Sequence, residues 1–399
     1  MNGRRILIAL MGMLMVFPFA AAEGVTLRTV SCFAGADTAA EAYVDILNQY
    51  EIESGNTVID HSSASDEAWK TDVLHDFAAG NEPDVLFFFA AGADSAPILY
   101  KVVPVSDINE AYPDMALPEN EALRESDGRV YAVPVRSYWE GLYVNTDVFE
   151  RCGVPLPSDW DSLVSAVAAF REAGIVPIAV SLSDIPHYLA EFALLSCATA
   201  EEHKARPRTL EEVPVSWYRA MALIREMYVM GAFADNAEYT YESASTELFR
   251  NKQAAMQFDG SWLAPSLPPE SMDTTMVLPM PLRDGSGTAG QYIGGVSMGF
   301  YLTRKAWDSD RRDDAVSLLR ALTREDSLRR LGYNGLGGTL LSSAEKMAEG
   351  RRMLSPLQDA MNKKAREVWL LQCVPAVADG SMTPEECWER VMALRPFEE

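Results

Sequence analysis

The sequence predicts an α/β fold built from mainly parallel sheets with flanking helices. Strand-like and helix-like segments alternate along almost the whole chain, which is typical of such folds. Residues 143–180 contain one complete unit: a strand, a stiff Pro155-x-Pro157 bridge, an amphipathic helix and a second strand. Without a leader, the 399 residues leave about 375, which suggests roughly two to three domains.

The helix of this unit has a clear beginning and end in the sequence. Ser158 or Asp159 can cap it by accepting from its first backbone N–H groups. Apolar residues recur at helical spacing over 163–170, and Gly174 is placed to end the helix. The unit therefore predicts strand, capped helix and strand.

The other predicted elements follow in chain order. Thr38-x-x-Glu41 predicts a capping box at the start of the first helix. The run of five apolar residues at 85–89 is typical of a strand buried on both faces. Before 143 the sequence predicts strands at 25–33, 57–61, 85–89 and 130–135, and helices around 43–50 and 66–79. After 180 it predicts helices at 217–229, 246–250 and 313–323, strands at 254–258 and 297–303, and a mostly helical remainder.

The N-terminus predicts export. Arg4 and Arg5 precede an apolar run over 6–19 and then Ala20-Ala21-Ala22, which together describe a cleavable signal peptide at 1–22. Roughly 13 apolar residues are too few for a transmembrane helix, which needs about 20; an uncleaved anchor is the alternative. No cysteine directly follows the apolar run, so we expect a periplasmic protein rather than a lipoprotein.

The composition excludes several classes of partner. The chain has 34 basic and 58 acidic residues, a net charge of −24, so it would repel nucleic acid and anionic lipid. The five cysteines show no CxxC or zinc-type spacing. We therefore expect a monomer that binds no nucleic acid, metal or cofactor.

One motif suggests an enzyme but lacks the required context. Residues 295–299 fit G-x-S-x-G, yet the sequence after Ser297 continues as a strand and every histidine lies upstream. No HExxH, Walker A or dinucleotide fingerprint is present. We predict no catalysis, although a glycosidase carboxylate pair leaves no mark in a sequence, so a carbohydrate-active enzyme stays an alternative.

Several phrases of the chain resemble, in the same order, one protein family: the extracellular solute-binding proteins of ABC importers, especially the maltose-type sugar binders. The phrases are Phe77–Gly80 with Pro83–Leu86, Tyr131–Pro134 with Tyr143–Asn145, Asn145–Asp147 with Pro157–Asp161, Phe249–Met256 with Gly260–Trp262, Gly294–Tyr301, and Thr383–Glu386. Asn251-Lys252 departs from the usual glycine turn, and residues 335–343 lack the usual Pro-Ala pair.

The resemblance implies two lobes that close on a ligand and deliver it to an ABC permease. It implies an N-terminal lobe at 23–139 plus 290–327 and a C-terminal lobe at 140–289 plus 328–399, with about three crossings between them. The implied ligand is a sugar or polyol. A polyamine or another small polar solute is the alternative.

Sugars stack their C–H faces on aromatic rings and need hydrogen-bonding partners for their hydroxyls. Trp262 matches a position that stacks on sugar in the family, and Tyr138 and Trp139 lie at the first implied crossing. The other candidates lie at predicted strand ends or helix starts, and each could instead be a core residue, a helix cap or a charge partner. They are Asp259, Asp37, Asp66, Trp69, Phe88, Arg136, Tyr292 and Trp369.

Overall fold

The computed structural model describes residues 24–35, 37–64, 67–90, 95–283, 290–332 and 338–398. The predicted signal peptide and Asp66 lie outside these residues. Within the described ranges, no helix combines the length and the apolar character needed to cross a bilayer.

The chain alternates strands and helices, as predicted. The first part contains β1 (Thr26–Val30), α1 (Ala40–Ser54), β2 (Thr57–Asp60), α2 (Glu67–Ala79), β3 (Val85–Phe89), α3 (Val105–Ala111) and β4 (Val133–Asn145). The middle contains α4 (Thr146–Cys152), α5 (Trp160–Glu172), β5 (Val176–Ala179), α6 (His187–Cys197), α7 (Ala200–His203), α8 (Val215–Val229), α9 (Glu242–Arg250), β6 (Ala254–Gly260), β7 (Thr275–Leu278) and β8 (Gln291–Leu302). The last part contains α10 (Arg304–Trp307), α11 (Arg312–Thr323), α12 (Glu325–Leu331), α13 (Gly338–Ala348), β9 (Arg352–Leu354), α14 (Lys363–Val368), α15 (Val374–Asp379) and α16 (Pro384–Met392).

The strands form two mainly parallel groups joined by two long strands. The order is β2-β1-β3-β8-β4-β6-β5, with β7 on β4 and β9 on β8. Among β2, β1, β3, β8 and β4, only β8 runs opposite to the others. Among β4, β5, β6 and β7, only β4 does. The predicted mainly parallel α/β architecture is therefore confirmed.

The apolar residues form two main clusters, which define what we call the first and second lobes. The first cluster draws on residues 27–133 and 298–331, and the second on 142–258 and 357–392. A smaller cluster over 143–347 packs in the second lobe. Strands β4 and β8 each run from one lobe to the other. The exact lobe boundaries stay a prediction.

Local signals account for one helix start and fail at another. Asp159 accepts from the backbone N–H of Ser162 at 2.9 Å, whose side chain accepts in return, so the predicted cap of α5 is confirmed. The predicted Thr38–Glu41 capping box is wrong: α1 begins at Ala40 without a side-chain cap. Asp37 accepts from the backbone N–H of Ala39 instead, at 2.9 Å.

Candidate functional site

Three aromatic side chains, Tyr138, Trp262 and Tyr188, lie together in the second lobe at the end of β6; we call them the aromatic trio. Trp262 is central, with ring centroids 5.6 Å from Tyr138 and 5.7 Å from Tyr188. Tyr138 comes from β4, Tyr188 from the first turn of α6, and Trp262 from the short helical turn after β6. Trp262 and Tyr138 remain partly exposed, so they offer ring surface to a ligand.

Trp262 lies directly against the backbone of Gly260. A Cβ atom at Gly260 would stand 2.2 Å from Cζ2 of the indole, so only glycine leaves room for the ring. Across the ladder, Gly260 pairs with Glu140 of β4. Side chains of directly opposed residues lie on the same face of a sheet. The side chain of Glu140 therefore leaves β4 on the face of the sheet that Trp262 covers.

Asp259 is a buried carboxyl beside the trio. It accepts from the backbone N–H of Gly260 at 2.7 Å and from Nε2 of Gln257 at 2.6 Å. Burial raises its pKa to about 7, and the nearby Glu242 adds to the rise, against the hydrogen bonds from Gly260, Gln257 and Trp262. Asp259, Glu242 and Tyr188 line a small cavity of about 20 Å³, roughly the space of a single water.

Glu140 is a second buried carboxyl, and among the described residues it has fewer hydrogen-bond partners than Asp259. Its side chain is 2% exposed, and its Oε2 has no hydrogen-bond partner among the described residues. Burial raises its pKa well above the ordinary range, and the charges of Glu191, Asp359 and Asp259 raise it further. Glu140 also lines a cavity of about 270 Å³ that reaches Gln291.

Several other ionisable groups near the trio have partners or are neutral. Glu191 accepts from the backbone N–H of Leu357 at 2.7 Å and lies 3.0 Å from Nε2 of His203. The hydroxyl of Tyr138 donates to Asp359 at 3.3 Å. The ring of His187 packs at a tilt against Tyr188, with centroids 4.1 Å apart. Burial, with the charge of Arg366, lowers the pKa of His187 to about 3, so its imidazole is neutral near pH 7.

Comparison with known proteins identifies the family. Residues 45–350 match the model of a family described as bacterial extracellular solute-binding protein. This chain belongs to that family. The resemblance predicted from the ordered motifs is thereby confirmed.

Individual relatives agree with the family and show its fold. The multiple sugar-binding protein of Streptococcus mutans is 24% identical over 240 residues, 56% of this chain and 54% of the relative, so the match spans about half of that relative's length. A chitin oligosaccharide binding protein has a TM-score of 0.77 at 19% identity and covers 93% of this chain and 98% of its own. A sugar transporter protein from Bacillus licheniformis, in complex with stachyose, has a TM-score of 0.65 at 15% identity, covering 93% and 99%. The predicted two-lobed binding-protein fold is confirmed by these likenesses.

In this solute-binding protein, two of the predicted site residues bind each other. The guanidinium of Arg136 donates to both carboxylate oxygens of Asp37, each at 2.7 Å, and to the carbonyl of Leu331 at 3.1 Å. It also lies over the ring of Phe33 at 4.7 Å. Arg136 is 3% exposed, so the pair is part of the first lobe's interior rather than a free binding group.

Three further candidates lie in the cores. Phe88 is 0% exposed and packs 5.3 Å from Trp69, which is 4% exposed. Phe89, the next residue, is the one that approaches the surface, with Nζ of Lys70 over its ring at 5.3 Å. Trp369 is 0% exposed and packs on Trp388 in the second lobe. Phe88 and Trp369 thus have no surface for a ligand in this structure, because their strand and helix are covered on that face.

Trp139 and Tyr292 lie apart from the trio. Neighbouring residues of a strand point to opposite faces, so Trp139 points away from Tyr138. It stacks on Tyr143 at 5.8 Å, and both it and Tyr292 pack against the smaller second-lobe cluster. The structure therefore joins Trp262, Tyr138 and Asp259 and separates them from Trp139. Tyr292 lines the cavity of about 270 Å³ that Glu140 also lines.

Tyr188, Glu140 and Glu242 border the site without having been predicted. The sequence could have indicated Glu140, because it is the one acidic residue of β4. It lies between the aromatic residues of that strand and the buried end of the strand. Tyr188 belongs to a helix that is buried nearly all round, so no apolar face singles it out. Nothing in the sequence around Glu242 indicates its position.

Proposed function

We propose that this protein is the solute-binding component of an ABC importer and that it captures a sugar or polyol at the aromatic trio. The observation that carries the proposal is the juxtaposition of partly exposed Trp262 and Tyr138 with the buried carboxyls of Asp259 and Glu140. Ring faces suit the C–H faces of a sugar, and the carboxyls suit its hydroxyls. The family and the sugar-binding relatives support the same assignment.

Capture couples to closure because the site borders the strands that join the lobes. Tyr138 lies on β4, in the part paired with Gly295 of β8, and these two strands run between the lobes. A ligand that contacts both lobes binds the closed state better than the open one and shifts the population toward it. The closed form then delivers the ligand to the permease.

The remaining parts of the proposal concern the state of the mature protein. We propose that a signal peptide is removed near Ala22 and that the exported chain acts as a monomer, without catalysis. The basic start, apolar run and alanines of residues 4–22 support export. Continuation of β8 through Ser297 to Leu302, in place of the helix that a nucleophile elbow requires, supports a binding role.

Calorimetric titration of the mature protein with mono-, di- and oligosaccharides, polyols and spermidine tests the function. We expect at least one sugar to bind, to raise Tm, and to be recovered unchanged by chromatography. Small-angle scattering should show a smaller radius of gyration with that sugar bound. A sugar converted to product would make the protein an enzyme, and binding of spermidine with no sugar would overturn the sugar assignment.

A further inference from the structure

We propose that the ligand is a sugar that carries a protonated amine, held by the carboxylates of Glu140 and Asp259 beside the aromatic trio. The inference rests on the proposed function and narrows the class of sugar. It follows from comparing the partners of the buried carboxyls in the described part of the chain, because Glu140 and Asp259 differ from the others.

Five carboxyl side chains are buried in the part of the chain that the structure describes: those of Glu82, Asp84, Glu140, Glu191 and Asp259. Three of the five contact a basic side chain. Glu82 pairs with Lys101 and Asp84 with Arg311 at 3.0 Å, and Glu191 lies 3.0 Å from Nε2 of His203. No ion pair of the described residues reaches Glu140 or Asp259. These are the two that border the trio.

The unmet demand is for a donor. Oε2 of Glu140 is buried and lacks a hydrogen-bond partner among the described side chains and backbone, and so does Oε1 of Gln257, whose amide nitrogen holds Asp259. The side chain of Glu140 leaves β4 on the face of the sheet that Trp262 covers. A buried carboxylate without a partner is costly, and the same charge becomes favourable once a cation approaches it.

Nearby positive groups have other partners. Arg351, which lines the same cavity as Glu140, donates to the backbone carbonyls of Lys346 and Met347. His203 lies on Glu191, and Arg206 acts on Glu191 as well. His187, which packs on Tyr188, is kept neutral by burial. Without a ligand, the raised pKa of Glu140 keeps its carboxyl protonated near pH 7. An ammonium group beside it favours the ionised form, so Glu140 loses its proton as the ligand binds and pairs with the amine.

A hydroxyl would supply a hydrogen bond but no charge, whereas an ammonium supplies both. The faces of Trp262 and Tyr138 also attract a cation through their ring electrons. Hydrogen bonds to charged groups contribute more than neutral ones, so an amine should be distinguished from a hydroxyl at the same carbon. The rings still provide the stacking surface that the rest of the sugar needs.

Matched sugar pairs test the inference. Titration calorimetry of the mature protein near neutral pH would compare glucose with its 2-, 3- and 6-amino-deoxy forms, galactose with galactosamine, and cellotriose with the chitosan trisaccharide. In at least one pair, we expect the amine to bind about tenfold tighter or more. In the Glu140→Gln protein the preference should fall below about threefold, while Glu150→Gln, an exposed change of the same charge on α4, should keep it.

If no pair favours the amine about tenfold, or if Glu140→Gln and Asp259→Asn both keep the preference, the inference is overturned. Neutral sugars binding as well as the amines would overturn it while leaving the proposed sugar-binding function intact. Spermidine binding without any sugar would overturn both.

Discussion

Arg136 and Glu140 lie four residues apart on β4, and their surroundings are opposite. The guanidinium of Arg136 contacts two carboxylate oxygens and a carbonyl, all within the first lobe. The carboxyl of Glu140, in the second lobe, is equally buried and has an oxygen without a donor among the described residues. Both are charged residues in a strand that joins the lobes.

The difference separates a structural charge from a binding charge. A buried ion pair with its hydrogen bonds satisfied is stable without a ligand, whereas a buried charge without a partner costs free energy until something binds it. By this criterion, Arg136 and Asp37 stabilise the first lobe, and we propose that Glu140 and Asp259 bind the ligand.

The largest effect is expected from Arg136→Met. It removes the charged partner of the Asp37 carboxylate, which among the described residues keeps only the backbone N–H of Ala39, and leaves the Leu331 carbonyl without the guanidinium. Breaking a buried pair in this way should lower the free energy of unfolding by about 3–5 kcal/mol, measured by urea denaturation.

The control for Arg136→Met removes both charges. In Arg136→Met/Asp37→Leu no charge is left unpaired, so a large part of the lost stability should return. A single variant that loses less than about 1 kcal/mol would show that the pair behaves like an exposed one.

The pH dependence of stability tests the second kind of charge, the buried carboxyl of Asp259 that has no ion-pair partner among the described residues. The pKa of Asp259 is raised to about 7 in the folded protein, against about 3.9 in an unfolded chain. Between those values the folded state holds a proton that the unfolded state has released, so this group's contribution falls as pH rises. The loss from pH 4 to above pH 7 is at most about 4 kcal/mol.

The measurement compares the unliganded wild type with Asp259→Asn across this range. The variant should lose less stability on going to high pH, whereas Asp72→Asn, an exposed change on α2, should follow the wild type. Parallel curves for wild type and Asp259→Asn would contradict the assignment of a buried, unpaired charge.

Sequence reasoning succeeded mainly where the controlling interactions are local, although the equally local capping box at Thr38–Glu41 was wrong. The cap of α5 depends on Asp159 and Ser162, three residues apart, and it was predicted. Contacts between residues that are far apart in the sequence were not predictable. Asp37 and Arg136 are 99 residues apart, and only folding shows that each is the other's partner.

The same limit applies within the site. Motif resemblance singles out Trp262 and Tyr138. The all-apolar strand β3 has no alternation to show which phenylalanine reaches its exposed end, so the sequence does not separate Phe88 from Phe89. Tyr188 comes from a helix that is buried on nearly every side. Its nearness to Trp262 is a product of packing between α6 and β6.

Comparing two tryptophans locates the binding face. Trp262→Ala removes the centre of the trio and should weaken sugar binding by about 2 kcal/mol, roughly 30-fold in Kd. Trp139→Ala, on the opposite face, should change Kd less than about threefold while lowering stability by about 2 kcal/mol. Calorimetric titration and urea denaturation separate the two, and unchanged affinity in both variants would overturn the site assignment.

The smallest effect is expected from one added methyl group. Gly260 has φ −99° and ψ −179°, an extended conformation that alanine adopts freely, so Gly260→Ala adds no backbone strain. Its Cβ would meet the Trp262 indole at 2.2 Å and displace the ring. Sugar affinity should fall about tenfold, or about 1.4 kcal/mol, with Ser261→Ala in the same turn as the unaffected control.

In the Trp262→Ala background, Gly260→Ala should have no further effect, because the ring it displaces is gone. An independent, additive loss would mean that Gly260 contacts the ligand itself.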